Sequence, residues 1–183
     1  MNSKTIAIAA ALYFAIFLLA HRSQPQPQKQ MFAAVHDLSN AATTITAPDG
    51  RTLSKVTPDR FVVPLAVIGA AGPKHVLDLN DIGRFEQRHG TIQSGALVAI
   101  APGAEVSEGA VAFLARARYV YGISADQQKN AEALKSARRL GLYTISGIGD
   151  VTTLPDADSI VVISPNVGNT GVTAPVRIYS LLR

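Results

Sequence analysis

Between Phe61 and Ile163 the chain alternates short, branched apolar runs with segments whose apolar residues recur at helical spacing, and few folds accommodate that order. Phe61 to Gly69 (FVVPLAVIG), Ala96 to Ala101 (ALVAIA), Tyr119 to Ile123, Leu142 to Ile145 and Ile160 to Ile163 read as strands. The first two are apolar at every position, as expected of strands buried on both faces, and Pro64 demotes one end of the first to an edge position. Leu79 to His89, capped by Asn80 or Asp81 and ended by Gly90, Ser107 to Ala117, and Asp126 to Leu140 read as helices. Phe32 to Leu38 and Val176 to Leu182 add strands at either end, while Ser39 to Asp59 shows no sustained period and reads as loop. Strands alternating with helices predict one α/β domain over residues 31–183.

A different kind of segment precedes it. Thr5 to Ala20 carries no charge and follows Lys4; as a helix its 16 residues would span about 24 Å, somewhat short of a bilayer core of about 30 Å. Residues 1–22 are therefore expected to form an apolar helix acting as a signal peptide or membrane anchor. Leu18 is a poor residue three places before a cut at Ala20, which favours the anchor. Residues 23–30 alternate Pro and Gln and read as an extended linker, so the domain is expected outside the cytoplasm, tethered or exported.

Charge and cysteine content narrow the chemistry. Of the formal net charge of +4, Lys4 and Arg22 contribute two, which leaves +2 on residues 29–183 with no basic patch beyond Lys135, Arg138 and Arg139 on one helical turn. That balance does not predict nucleic-acid binding. With no cysteine, thiolate nucleophiles and Cys-bound zinc are excluded. The histidines His21, His36, His75 and His89 show no metal-ligand spacing, and Ser94 lacks a nucleophile elbow. No catalytic residue and no metal ligand is predicted. The Gly-rich stretch Pro165 to Gly171 could present backbone amides to an anion but lacks a phosphate-loop lysine.

In order, Val35 to Ser39, Arg60 to Pro64, Asp81 to Val98, Glu108 to Ile123 and Leu140 to Leu182 resemble successive blocks of the cyclase family, which includes bacterial kynurenine formamidase and isatin hydrolase. The strongest blocks are Glu86, Gly90, Ile92, Gly95 and Val98, and the segment from Leu154-Pro155 to Arg177. The resemblance implies a swivelling β/β/α domain and hydrolysis of amides or lactams, as in tryptophan catabolism, with zinc or manganese held by a His-x-Gly-Thr-His-x-Asp-x-Pro-x-His element and later His and Glu residues. Between Ser39 and Arg60, where that element belongs, there is no His, and the stretch is short enough to suggest truncation. His89-Gly90-Thr91 lies in a later block and does not replace it. The later positions read Ser124, Leu134 and Ser146.

The resemblance thus implies a degenerate relative that has no catalytic metal and works as a binding protein. Its small-molecule ligand is expected at Asn166, Gly168, Asn169, Gly171 and Arg177, and homo-oligomers are expected from the family. The alternative is an active formamidase-like hydrolase with relocated ligands such as His36, Asp37 and His75.

Overall fold

The computed structural model describes residues 34–39, 43–49, 51–53, 62–69, 75–157, 159–165 and 172–182. The expected apolar helix at 1–22 and the linker at 23–30 lie outside them. Among the described residues no helix is long and apolar enough to cross a membrane.

The branched runs form the centre of a mixed sheet. Strands β3 (Val62–Ile68), β5 (Leu97–Ile100), β7 (Gly122–Ser124) and β8 (Tyr143–Ser146) lie side by side and parallel. On one flank β2 (Thr44–Thr46) pairs antiparallel with β8, and β10 (Thr173–Leu182) continues from β2, with β1 (Ala34–Asp37) along its far end. On the other flank β9 (Ser159–Pro165) pairs with β3 and also with β10, so the sheet curls until it closes on itself. Two short parallel strands, β4 (Val76–Leu77) and β6 (Glu105–Val106), form a separate ladder.

Closure explains why β3 and β5 are apolar throughout. Val63, Leu65, Val67, Leu97 and Ala99 point into the curled sheet beside Ile45, Ile145 and Ile178, whereas Ala66, Ile68, Val98 and Ile100 meet the helices. Strand alternation thus serves two cores at once. Pro64 sits in the part of β3 that pairs with β9 before pairing with β5 begins, so its missing N–H leaves no ladder bond open on the β5 side.

The helices α1 (Leu79–His89), α2 (Glu108–Ala117) and α3 (Ala131–Arg139) cover the outer face through Ile82, Phe85, Val111, Leu114, Leu134 and Ala137. Three boundaries differ from the sequence reading. The cap of α1 is Asp78, whose side chain accepts from the N–H groups of Asn80 and Asp81 while Asp81 answers to the Asp78 N–H, a reciprocal capping box. Helix α3 begins at Ala131 instead of Asp126, because buried Asn130 gives its amide to the carbonyl oxygens of Ala104 and Asp126 and accepts from Val106 N–H at 2.8 Å. The third strand begins at Gly122, since Tyr119 takes a left-handed backbone (φ 50°) after α2 and is left 70% exposed. A side chain there costs about 1 kcal/mol relative to glycine. Gly122 itself is required, because a Cβ would stand 2.5 Å from the Tyr143 carbonyl oxygen.

Candidate functional site

Strand β2, inside the stretch read as loop, carries Thr44 and Thr46 on one face and Ile45 on the other. Three residues of alternating character are too few to register as a strand without the partner that selects them. That partner is β8, where Thr44 lies opposite Ser146 and Thr46 opposite Thr144. Because Ile45 and Ile145 fill the interior of the curled sheet, these hydroxyl residues face outward, toward α3. Arg138 on α3 reaches Thr144 Oγ1 at 3.4 Å, the Asp49 N–H donates to the Arg138 carbonyl oxygen, and Leu134 of the same helix is buried in the outer core.

The hydroxyl groups are occupied with one another. Thr44 Oγ1 and Ser146 Oγ are 3.0 Å apart, Thr46 Oγ1 and Thr173 Oγ1 3.1 Å, and Thr43 Oγ1 donates to the Gly147 carbonyl oxygen at 2.5 Å.

This face is where the resemblance places a metal. In the register set by Pro48, the His-x-Gly-Thr-His-x-Asp-x-Pro-x-His element covers residues 40–50, with Thr43 and Pro48 matching. Asn40, Thr44, Thr46 and Gly50 then stand where the pattern has His, His, Asp and His. In this register no metal ligand of the pattern is present. Pairing supports the register independently, because Thr44 falls beside Ser146, the position of the later Glu, under the helix that carries Leu134, the position of the later His. The signal available in the sequence was the Thr43-to-Pro48 spacing. Ser124 is the exception: Ile123 packs with the helices, so Ser124 points to the other face, beside a cavity of about 230 Å³ lined by Pro102, Asp126 and Gly147 among others.

Neutral hydroxyls and a leucine do not fit a divalent metal, which needs imidazole or carboxylate donors. Nor does another group supply them: among the described residues no three His, Asp or Glu side chains converge as metal ligands. His36 and Asp37 lie on β1 along β10, whereas His75 Nε2 is 2.6 Å from Asp81 Oδ2 beside α1, so the relocated set is not assembled.

The charged groups instead hold the helix layer together. Asp81 is buried and meets His75, Arg84 and the Asp78 N–H. Burial pushes its pKa up, but these donors outweigh it and hold the carboxyl at about 2, below the ordinary 3.8. Glu86 accepts from Arg118 Nε at 2.5 Å and Nη2 at 2.7 Å and from the Ile92 N–H at 3.0 Å, and the Arg118 guanidinium lowers its pKa against the opposing effect of burial. The Glu86-to-Val98 pattern is therefore scaffold: Glu86 pins Ile92, Gly90 ends α1 at φ 84°, Gly95 turns into β5, and Val98 is fully buried. His89 ends α1 against Phe85, with ring centroids 4.9 Å apart, and faces Asp156 at 3.3 Å.

Of the expected ligand-loop residues, Asn166, Gly168, Asn169 and Gly171 lie outside the described residues, and Arg177 lies within β10, its backbone opposite Ser164.

Residues 29–131 match the putative cyclase family, and the chain belongs to that family. Among solved structures it is similar to isatin hydrolase A from Ralstonia solanacearum, at 17% identity over 82% of this chain and 81% of that one, with a TM-score of 0.65. Isatin hydrolase A from Labrenzia aggregata, bound to benzyl benzoate, gives 15%, 81%, 82% and 0.66 for the same measures. A predicted metal-dependent hydrolase from Bacillus stearothermophilus gives 18%, 82%, 87% and 0.59. No curated protein matches the sequence. At these identities the solved structures establish the fold, a hydrolase-like cyclase domain with a curled mixed sheet.

Proposed function

We propose that this cyclase-family domain has given up metal-dependent amide hydrolysis and works as a binding protein. One observation carries the reading: the positions expected to ligate metal read Thr44, Thr46, Leu134 and Ser146, and their hydroxyls bond to neighbouring side chains. No sidechain in that set can hold a divalent ion strongly or lower the pKa of a bound water. The test is metal analysis of the purified protein together with assays on N-formylkynurenine and isatin. We expect neither stoichiometric metal nor turnover; a bound equivalent of zinc or manganese with hydrolysis would restore the relocated-ligand alternative.

The reading includes tethering through residues 1–22, supported by their uncharged run and the Pro/Gln linker. Alkaline extraction of membranes should leave the protein in the pellet, and its complete release would refute an integral anchor.

A further inference from the structure

Where β3, β5, β7 and β8 begin, at the end of the sheet away from Ser146, the molecule has a second polar concavity. Its volume of about 380 Å³ exceeds the cavities of about 230 Å³ beside Ser124 and about 80 Å³ beside His89, and falls within the roughly 300–1,000 Å³ typical of small-molecule sites. Arg51, Pro64, Ser94, Tyr119, Tyr121 and Tyr143 line it.

Three features distinguish this wall from ordinary surface. Tyr121 and Tyr143 stack with centroids 4.6 Å apart and planes within 10°; Tyr121 is buried and Tyr143 half-buried, so the stack runs outward from the core. Tyr119 stands at the rim in the left-handed conformation that favours glycine, yet the residue is 70% exposed and adds little to the core. Arg51, exposed and anchored by its N–H to the Pro48 carbonyl oxygen at 3.0 Å, is the charged residue of the lining, and among the described residues its guanidinium has no carboxylate partner.

Aromatic faces accept another flat ring in offset stacking, and a guanidinium fork matches a carboxylate. With no acidic residue in the lining, the pocket's charge favours an anion. We infer that this pocket binds a small planar aromatic acid, its ring against the tyrosines and its carboxylate on Arg51. The inference deepens the binding half of the proposed function, and it is tested by binding alone, so it can fail while the metal analysis succeeds, or the reverse.

The experiment is calorimetric titration of the full-length protein with 2-naphthoate and with uncharged 2-naphthylmethanol. We expect saturable binding of one naphthoate per chain, about tenfold tighter than the alcohol, and Arg51→Gln should abolish that preference. Tyr119→Gly should weaken naphthoate about fivefold while leaving Tm unchanged or higher, since glycine relieves the left-handed backbone. Thr44→Val with Ser146→Ala should leave the affinity unchanged. Absence of saturable binding, equal affinity for the two probes, an undiminished naphthoate preference in Arg51→Gln, full affinity in Tyr119→Gly, or loss of affinity in the Thr44/Ser146 variant would each overturn the assignment.

Discussion

Beside α1 the chain builds with charge: Asp81 gathers His75, Arg84 and a backbone N–H, and Glu86 ties Arg118 to the turn before β5. On the β2–β8 face, under α3, it builds with neutral hydroxyls, Thr44 on Ser146 and Thr46 on Thr173. Each charged cluster is matched internally, so it fastens elements and leaves no donor set for an ion. The hydroxyl face carries Thr44 and Ser146, where the family resemblance leads one to expect metal ligands. Charged fastening and neutral fastening therefore occupy different layers of the same domain.

The largest effect should come from putting charge back on the neutral face. Thr44→His with Thr46→Asp and Ser146→Glu restores three of the expected donors, and zinc at about a thousandfold over its Kd would add about 4 kcal/mol of stability. A zinc-dependent rise in Tm in this variant, absent in the wild type, is the expected result. No response would mean that this face is not the old metal position.

Removing charge from the helix layer should cost somewhat less. Glu86→Ala strips Arg118 and the Ile92 N–H of their acceptor and should lower stability by about 3 kcal/mol in denaturant unfolding, with Glu86→Gln recovering much of it. A loss under 1 kcal/mol would reduce the pair to a surface contact.

Asp81 adds a pH signature. Its carboxyl is held at about 2 in the folded chain against the ordinary 3.8, so its contribution of about 2 kcal/mol is complete above pH 3.8 and is lost as pH falls through 2. Asp81→Asn should be less stable than wild type at neutral pH by about that amount, and the gap should close between pH 4 and 2. A gap that persists at pH 2 would trace the effect to packing instead of ionisation.

Much of the helix layer was legible because its signals are local. The apolar runs of β3 and β5, the caps near Asp78 and Ser107, and the Glu86-to-Val98 pattern each fit within a dozen or so residues. The neutral face was not, because β2 is three residues long and is a strand only beside β8, about a hundred positions later. Closure of the sheet depends on β9 meeting both β3 and β10, which no periodicity reports. The tyrosine pocket was hidden for the same reason: Arg51, Ser94 and Tyr119 come from three connections and Tyr143 from the start of β8, and Tyr119 read as the start of a strand instead of an exposed left-handed turn. The positions the resemblance would assign to metal ligands are harder still, since Thr44 and Thr46 are singled out only through the Pro48 register and the Ser146 opposite.

The smallest effect should come from the hydroxyl pair itself. Thr44→Val keeps the branched shape that suits a strand and removes one oxygen, leaving Ser146 half-buried without that partner; Ser146→Ala does the converse. Each should cost about 1 kcal/mol or less, because a neutral hydrogen bond exchanged with water contributes little net stability. The double variant leaves neither oxygen unmatched and should cost less than the two losses added, with a coupling of about 0.5 kcal/mol in a denaturant-unfolding cycle. Strict additivity would show that the two hydroxyls do not act as a pair. A single loss above 2 kcal/mol would show that the neutral face fastens the domain as firmly as the ion pairs beside α1, and the contrast between the two layers would then fail.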